Sequence, residues 1–337
     1  MPWERPRGRT RKGGNGLVQL DIETRQIDTN GISMRVAVAG DGPLVILVHG
    51  FPELWYSWRH QIPALAAAGY RVAAPDVRGY GGSDKPPEVD AYRMRTLSGD
   101  IVELIDALGG QSAVLIGHDW GAPICWNTAM LHPGRVRAVA GLSVPFFPRG
   151  SVPPLQMYRV LYAGRFFYQL YFQEEGVAET ELEADVRTTL RKVYYGASGD
   201  NEGPPLESGD LNRGLLDGRI DPDRFPAWMT DEDLDYFVAA FEAGGFRGPL
   251  NRYRCMDADW AELTELSGAK IFQPSFFMAG SRDLVRHLVP GYDLYVDPGA
   301  HCADFRGQVI VDGKGHWIQQ EAAEEVTEAL LRFLSGV

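Results

Sequence analysis

From about residue 30 onward the apolar positions fall into short continuous or alternating runs separated by stretches with helical spacing. Met34–Val38 reads as a strand, and Leu44–Val48, an unbroken Leu-Val-Ile-Leu-Val run, predicts a strand covered on both faces. Trp58–Ala68 predicts a helix and Arg71–Ala74 another strand. Within Met94–Leu108 the residues Leu97, Ile101, Leu104, Ile105 and Leu108 recur at spacings of three and four, which gives an amphipathic helix closed by Gly109 and Gly110. A strand at Ala113–Ile116, a helix at Gly121–Leu131 and a strand at Val136–Leu142 follow. Repeated strand, helix, strand order means parallel pairing with helices on both faces.

The alternation stops near Pro145. Residues 146–249 read as helical and aromatic, with Phe166, Phe167, Tyr168, Tyr171 and Phe172 crowded together and a Gly/Pro/Asn/Asp-rich loop at about 196–226. The β-rich pattern resumes at Ser275–Ala279 and Gln308–Val311, and Ala322–Leu334 predicts a closing helix. One sheet interrupted by an insertion accounts for this order. The expectation is an α/β fold with a mostly parallel sheet flanked by helices, a core of residues 20–145 and 250–337, and an inserted helical cap over 146–249. Residues 1–19, with Arg5, Arg7, Arg9, Arg11 and Lys12, read as a flexible basic tail.

Composition narrows the partners. With 337 residues, 45% of them apolar and 23% charged, the chain can bury a large core, which excludes disorder as a description of the whole. A net charge of −12 argues against nucleic acid, because a phosphate backbone is held by a field of Lys and Arg; a neutral or cationic ligand is easier to accept. The three cysteines, Cys125, Cys255 and Cys302, form no CxxC pair, so neither a disulfide framework nor a zinc site is indicated and a reduced, cytoplasmic setting is expected. No run of about 18 apolar residues offers a membrane span, and the basic tail lacks the apolar middle of a signal peptide.

Gly117-His118-Asp119-Trp120-Gly121 sits where a strand must turn sharply into a helix, the position of a nucleophile elbow. Small residues at 117 and 121 let strand and helix approach, and residue 119 projects at the strand's carboxyl end. That residue is Asp, whose carboxylate can displace a leaving group at an sp3 carbon and form an alkyl ester. The helix N-terminus helps keep it ionised. Standing alone, Asp119 would read equally well as a helix N-cap without chemistry. His49-Gly50-Phe51-Pro52-Glu53, directly after the buried strand, supplies a backbone N–H for an oxyanion hole, so Phe51 and Trp120 are the candidate donors; in isolation it is a plain Gly-Pro turn. Pro52 suits a cis bond in that tight turn. Among seven histidines, His316 in Gly315-His316-Trp317 falls in the order nucleophile, acid, histidine and becomes the candidate base towards water. Asp283, in Gly280-Ser281-Arg282-Asp283, is the candidate orienting acid, with Asp297, Asp304 and Asp312 as competitors.

These motifs resemble those of the soluble epoxide hydrolases of the α/β-hydrolase superfamily, over nearly the whole chain from about residue 20. The specific part lies in Tyr171-Phe172-Gln173-Glu174 and in Gly245-Phe246-Arg247-Gly248-Pro249-Leu250-Asn251-Arg252-Tyr253, since the core motifs are shared with dehalogenases and esterases. The resemblance implies an α/β-hydrolase fold and two cap tyrosines that hydrogen-bond the epoxide oxygen, placed at Tyr171 and Tyr253. A phenol is an acid that donates without being ionised at neutral pH, which suits a poor alkoxide leaving group. Trp120, Phe51 and Gln173 are the expected substrate contacts, with Trp126, Phe146 and Phe147 as weaker lining candidates that read equally well as core. Two departures stand out: Arg252 where an aromatic residue is expected, and Ala122 where Gly is frequent. Some vertebrate relatives carry an additional amino-terminal phosphatase domain, and that activity is not expected here.

The implied reaction converts a small apolar epoxide and water to a diol through an Asp119 ester, with His316 and Asp283 activating water and no metal or organic cofactor required. A haloalkane dehalogenase would use the same Asp, His and acid, but position 51 is Phe and offers no side-chain donor to a halide. A fluoroacetate-type dehalogenase would want Arg after the nucleophile, where Trp120 stands. A noncatalytic small-ligand binder would need one of Asp119, Asp283 or His316 to be missing. A homodimer is compatible with the sequence, and the oligomeric state stays open.

Overall fold

The computed structural model describes residues 22–203, 211 and 213–337. The basic tail expected over 1–19 and part of the Gly/Pro-rich loop lie outside the described residues. In chain order the elements are β1 (Glu23–Thr29), β2 (Ile32–Ala39), β3 (Leu44–Val48), α1 (Gln61–Ala67), β4 (Arg71–Pro75), α2 (Met94–Ala107), β5 (Ala113–His118), α3 (Gly121–Leu131) and β6 (Val136–Leu142). Then come α4 (Pro154–Leu161), α5 (Tyr168–Tyr171), α6 (Val177–Glu183), α7 (Val186–Ala197), α8 (Asp231–Gly244), α9 (Arg247–Arg254) and α10 (Met256–Glu262). β7 (Ile271–Gly280), β8 (Cys302–Val311), α11 (Ile318–Glu321) and α12 (Ala323–Leu334) complete the chain.

The eight strands form one sheet in the order β1-β2-β4-β3-β5-β6-β7-β8. β1 and β2 pair antiparallel, as do β2 and β4, and all other neighbours are parallel. The central strands β3 and β5 are buried at every position, as a strand covered on both faces requires. Their side chains alternate between two apolar layers. Ile46, Val48 and Leu115 join the face carrying Leu97, Ile101 and Leu104 of α2, whereas Val45, Leu47, Val114 and Ile116 join the face carrying Ile62 of α1 and Leu330 of α12. The α/β fold read from the pattern is therefore observed, with strands and helices within about four residues of their expected bounds except β8, which starts at Cys302, six residues before the expected Gln308.

Two differences have physical causes. β1 is absent from the sequence reading because its residues Glu23, Thr24, Arg25 and Gln26 are exposed at the sheet edge and carry no apolar signal. The boundary expected between residues 249 and 250 falls inside α9, whose last turn continues to Arg254, and helical structure persists to Glu262 before β7 begins. The inserted helices thus leave the sheet after β6 and return at β7, its neighbour.

The turn between β5 and α3 is the tightest point of the core. A Cβ placed on Gly117 would lie 2.2 Å from the Gly121 carbonyl oxygen, and one on Gly121 would lie 2.0 Å from the Val48 carbonyl oxygen. Both are backbone atoms, one at the start of α3 and one at the end of β3, and cannot step aside. Gly117→Ala is expected to destabilise the protein by about 1–3 kcal/mol or more, read as a lower urea midpoint, because overpacking here must displace a strand. An unchanged midpoint would show that the turn has slack.

Candidate active site

Asp119 occupies this turn with φ +49°, a left-handed conformation that non-glycine residues seldom adopt and that marks an elbow. Its approach to the loop after β3 needs Gly50, where a Cβ would lie 2.4 Å from Asp119 Oδ1. The Phe51 amide donates to Asp119 Oδ1 at 2.7 Å, and the Phe51–Pro52 peptide is cis, as the turn predicts. On the other oxygen, His316 Nε2 stands 3.5 Å from Asp119 Oδ2, and His316 Nδ1 is 3.0 Å from Asp283 Oδ1. Asp283, buried after β7, also accepts the Val285 amide at 2.9 Å. The structure therefore brings Asp119, His316, Asp283 and the Phe51 amide together from four separate loops. The competing acids do not reach His316: Asp304 pairs with Arg306, Asp312 accepts from Ser281, and Asp297 is exposed.

Charge is balanced tightly in this cluster. Burial alone would lower the pKa of His316, but the Asp283 and Asp119 carboxylates outweigh it and hold the imidazolium form well above the ordinary histidine range. Burial works against ionised Asp283, and His316 with the Val285 amide more than offsets it, so Asp283 stays below its ordinary value. Asp119 keeps 14% side-chain exposure, so small molecules can reach it.

The tyrosines are placed differently from the expectation. Tyr253 is buried, its ring 5.2 Å from Trp120 and 5.4 Å from Phe51, and its pKa is raised by burial and then by the Asp119 charge. Tyr171 does not face Asp119; its hydroxyl donates to Glu181 at 2.8 Å, because the Glu181 carboxylate is the acceptor within its reach. The phenol that shares the neighbourhood of Asp119 is Tyr168, one helical turn earlier, whose ring lies 6.0 Å from that of Tyr253. Burial and the Asp119 charge push the Tyr168 pKa upward, and the Gln169 amide donates to its hydroxyl at 2.8 Å.

The expected substrate contacts divide. Phe51 packs against Phe172, Phe246 and Tyr253, and Trp120 lies between Tyr253 and the guanidinium of Arg252, 4.9 Å from its ring. Arg252, the departure from the family pattern, is buried, pairs with Asp259 and donates to the Tyr92 carbonyl, so it replaces an aromatic neighbour of Trp120 by a fixed cation. Ala122, the other departure, is buried at the start of α3. Gln173 is spent on backbone, donating to the Gln169 and Tyr253 carbonyls at 2.6 and 3.2 Å. Trp126 and Phe146 pack on each other in the core, with the indole bonded to the Val144 carbonyl, and Phe147 is exposed.

One buried network escaped the sequence reading. His118 Nδ1 is 2.6 Å from Glu53 Oε2, and His118 Nε2 is 2.7 Å from the His316 carbonyl oxygen. Glu53 also accepts the Gly50 amide and the Gln319 side chain. Both residues stand within quoted motifs, but no spacing relates positions 65 residues apart. Among the described residues no group of three or more His, Cys, Asp or Glu is arranged to hold a metal ion, and no helix is long and apolar enough to cross a membrane.

A sheet of this order with an elbow after its central strand defines an α/β hydrolase, and the profile of the alpha/beta hydrolase fold family matches residues 43–188. Epoxide hydrolase A of Mycobacterium tuberculosis is 46% identical over 93% of this chain and 97% of its own length, and epoxide hydrolase 1 of Siraitia grosvenorii is 41% identical over 93% and 98%. The crystal structure of epoxide hydrolase A from Mycobacterium thermoresistibile superposes with a TM-score of 0.89 at 45% identity, covering 94% of this chain and 99% of that one. The chain belongs to the epoxide hydrolases, hydrolases that act on ether bonds.

The Glu53 pair carries a pH signature. Burial would raise the Glu53 pKa, but His118 and the surrounding donors bring it from 4.5 down to about 2. The stability this contributes is present above the unfolded value and is lost as pH falls from 4.5 towards about 2. Glu53→Gln is expected to cost about 3–5 kcal/mol near neutral pH, because it leaves a buried partner uncompensated. It should also flatten the stability loss in that acid window, which urea titrations across the range would read.

Proposed function

We propose that the protein adds water to an apolar epoxide through an ester on Asp119, releasing a vicinal diol. The observation that carries this reading is the surroundings of one carboxylate: Asp119 has the His316 imidazole at 3.5 Å and the Phe51 amide at 2.7 Å, and the half-buried Tyr168 and buried Tyr253 lie 6.0 Å apart beside it, with Tyr253 against Phe51 and Trp120. The inserted helices act as the cap, supplying those phenols and, with Phe51 and Trp120, aromatic walls suited to an apolar substrate.

In the first step an Asp119 oxygen attacks an epoxide carbon, the carbon–oxygen bond of the ring breaks, and the leaving oxygen takes a proton from Tyr168 or Tyr253. Raised pKa values keep both phenols protonated and able to donate. Esterification removes the Asp119 charge, one of the two that hold the proton on His316. The imidazolium then returns a proton to the phenolate, restoring the phenol, and the neutral ring becomes a base. Oriented by Asp283, His316 takes a proton from water, the oxygen adds to the Asp119 carbonyl carbon, and the Phe51 and Trp120 amides hold the resulting oxyanion. Its collapse breaks the acyl carbon–oxygen bond; the departing alkoxide takes the proton of the added hydroxyl, so the diol leaves and Asp119 is again a carboxylate beside protonated His316. A departing halide would need N–H donors and no proton, so the phenols favour the epoxide over the dehalogenase reading.

A single turnover in oxygen-18 water with a styrene-type epoxide is expected to give a first diol without label and an enzyme carboxylate that carries it. Label in that first diol would remove the ester from the mechanism. The tyrosines separate in the same assay: Tyr168→Phe is expected to slow ester formation by at least about tenfold, as loss of a general acid does. Tyr171→Phe should leave turnover within about twofold, since its hydroxyl serves Glu181. The reverse order would return the acid to Tyr171.

A further inference from the structure

Tyr168 opens α5 and Gln169 follows it directly. Successive residues of a helix point about 100° apart, so their side chains do not ordinarily meet. Here the Gln169 side chain turns back, and its Nε2 donates to the Tyr168 hydroxyl at 2.8 Å. Gln169 is 6% exposed, and its Oε1 is buried without a hydrogen-bond partner among the described residues. A buried amide oxygen left alone costs stability, so this side chain is arranged around the phenol rather than around its own hydrogen bonding. The turn beneath it is clamped. Gln173 Nε2 donates to the Gln169 carbonyl at 2.6 Å and to the Tyr253 carbonyl at 3.2 Å, which ties the segment carrying Tyr168 to the helix carrying Tyr253.

The two phenols of α5 are in opposite states. Tyr171 gives its proton to the Glu181 carboxylate, whereas Tyr168 receives an N–H on its oxygen. A hydroxyl has one proton to donate, and an N–H on its lone pair turns that proton elsewhere. Tyr168 therefore keeps its proton free for the site. Once that proton is given up, the same N–H faces a phenolate, and a hydrogen bond to a charged oxygen is shorter and stronger. The contact thus strengthens as the ring opens, which is the condition for accelerating a step rather than for binding. The Tyr168 acidity has the matching sign: burial, the Asp119 charge and the phenols Tyr158 and Tyr162 push its pKa up, and the Gln169 amide works against them.

We propose that Gln169 is a positioning residue for ring opening: its amide N–H turns the Tyr168 proton towards the epoxide oxygen and then holds the phenolate until His316 returns the proton. This inference rests on the epoxide reading above and adds the group that aims the acid.

The test follows the two half-reactions of the full-length protein with styrene oxide, by rapid quench and intact mass, in Gln169→Met, Gln169→Glu, Tyr168→Phe and the double variant Gln169→Met/Tyr168→Phe. Gln169→Met is expected to slow ester formation about tenfold or more and to leave ester hydrolysis within about twofold. Its urea midpoint should not fall, because the orphaned oxygen is removed together with the N–H. Gln169→Glu should slow ester formation further, since a carboxylate captures the phenol proton as Glu181 captures that of Tyr171. On the Tyr168→Phe background the methionine should add nothing. Unchanged ester formation in Gln169→Met, an equal loss in both half-reactions, or the full loss repeated in the double variant would overturn the positioning role. Ester formation at the wild-type rate in Tyr168→Phe would overturn it together with the acid. A wild type that forms no ester removes the epoxide reading alone. Fluorine NMR titration of 3,5-difluorotyrosine placed at position 168 then decides Gln169: an ionisation constant lowered about tenfold or more by Gln169→Met upholds the bond to the phenolate, and an unchanged constant overturns it.

Discussion

The contact between Glu53 and His118, sealed in the interior, is the constraint on which the site's geometry depends. The two ring nitrogens of His118 face the Glu53 carboxylate and the His316 carbonyl. One side chain therefore joins the loop after β3, the end of β5 and the loop before α11. The Phe51 amide, Asp119 and His316 sit on those three segments. A buried pair of this kind adds little net stability over an apolar substitute, but it has one satisfactory geometry. Ser143 adds a hydroxyl to the same His316 carbonyl at 2.9 Å, from a backbone in the left-handed region at φ +66°. Strain at Asp119 and at Ser143 is thus borne by elements that converge on one carbonyl oxygen.

Within that frame the electrostatics follow from counting charges around one imidazole. Two carboxylates hold the proton of His316, and any chemistry that neutralises Asp119 weakens that hold without moving an atom of the ring. The inserted helices contribute uncharged donors rather than further ions, which leaves this balance to the core. Arg252 fits the same economy, since its cation is matched by Asp259 and meets the site only through the face of Trp120.

Most of the fold was legible because buried central strands leave unbroken apolar runs and α2 leaves spacings of three and four. β1 was not, because an edge strand facing water has no reason to be apolar. The grouping of Asp119, His316 and Asp283 could be read because their order and flanking glycines are tied to the sheet's geometry. Position 171 shows the limit. Tyr168 and Tyr171 begin and end a single helical turn, and spacings of three place both on neighbouring sides, so the pattern identifies the segment without choosing the residue. The pattern does not show Glu181, ten positions on, accepting the hydroxyl of the later phenol. Glu53 with His118 was invisible for a related reason, as a contact across 65 residues exists only after the chain has folded.

β6 and β7 lie side by side and parallel in the sheet, so the segment between them leaves at the carboxyl end of one strand and returns at the amino end of the other. The insertion is stitched to the loops of the site as well as to the sheet, since the Tyr194 hydroxyl donates to the Pro52 carbonyl and the His316 amide to the Ala197 carbonyl. A change of length or packing in α7 is therefore felt at the loops that hold Phe51 and His316.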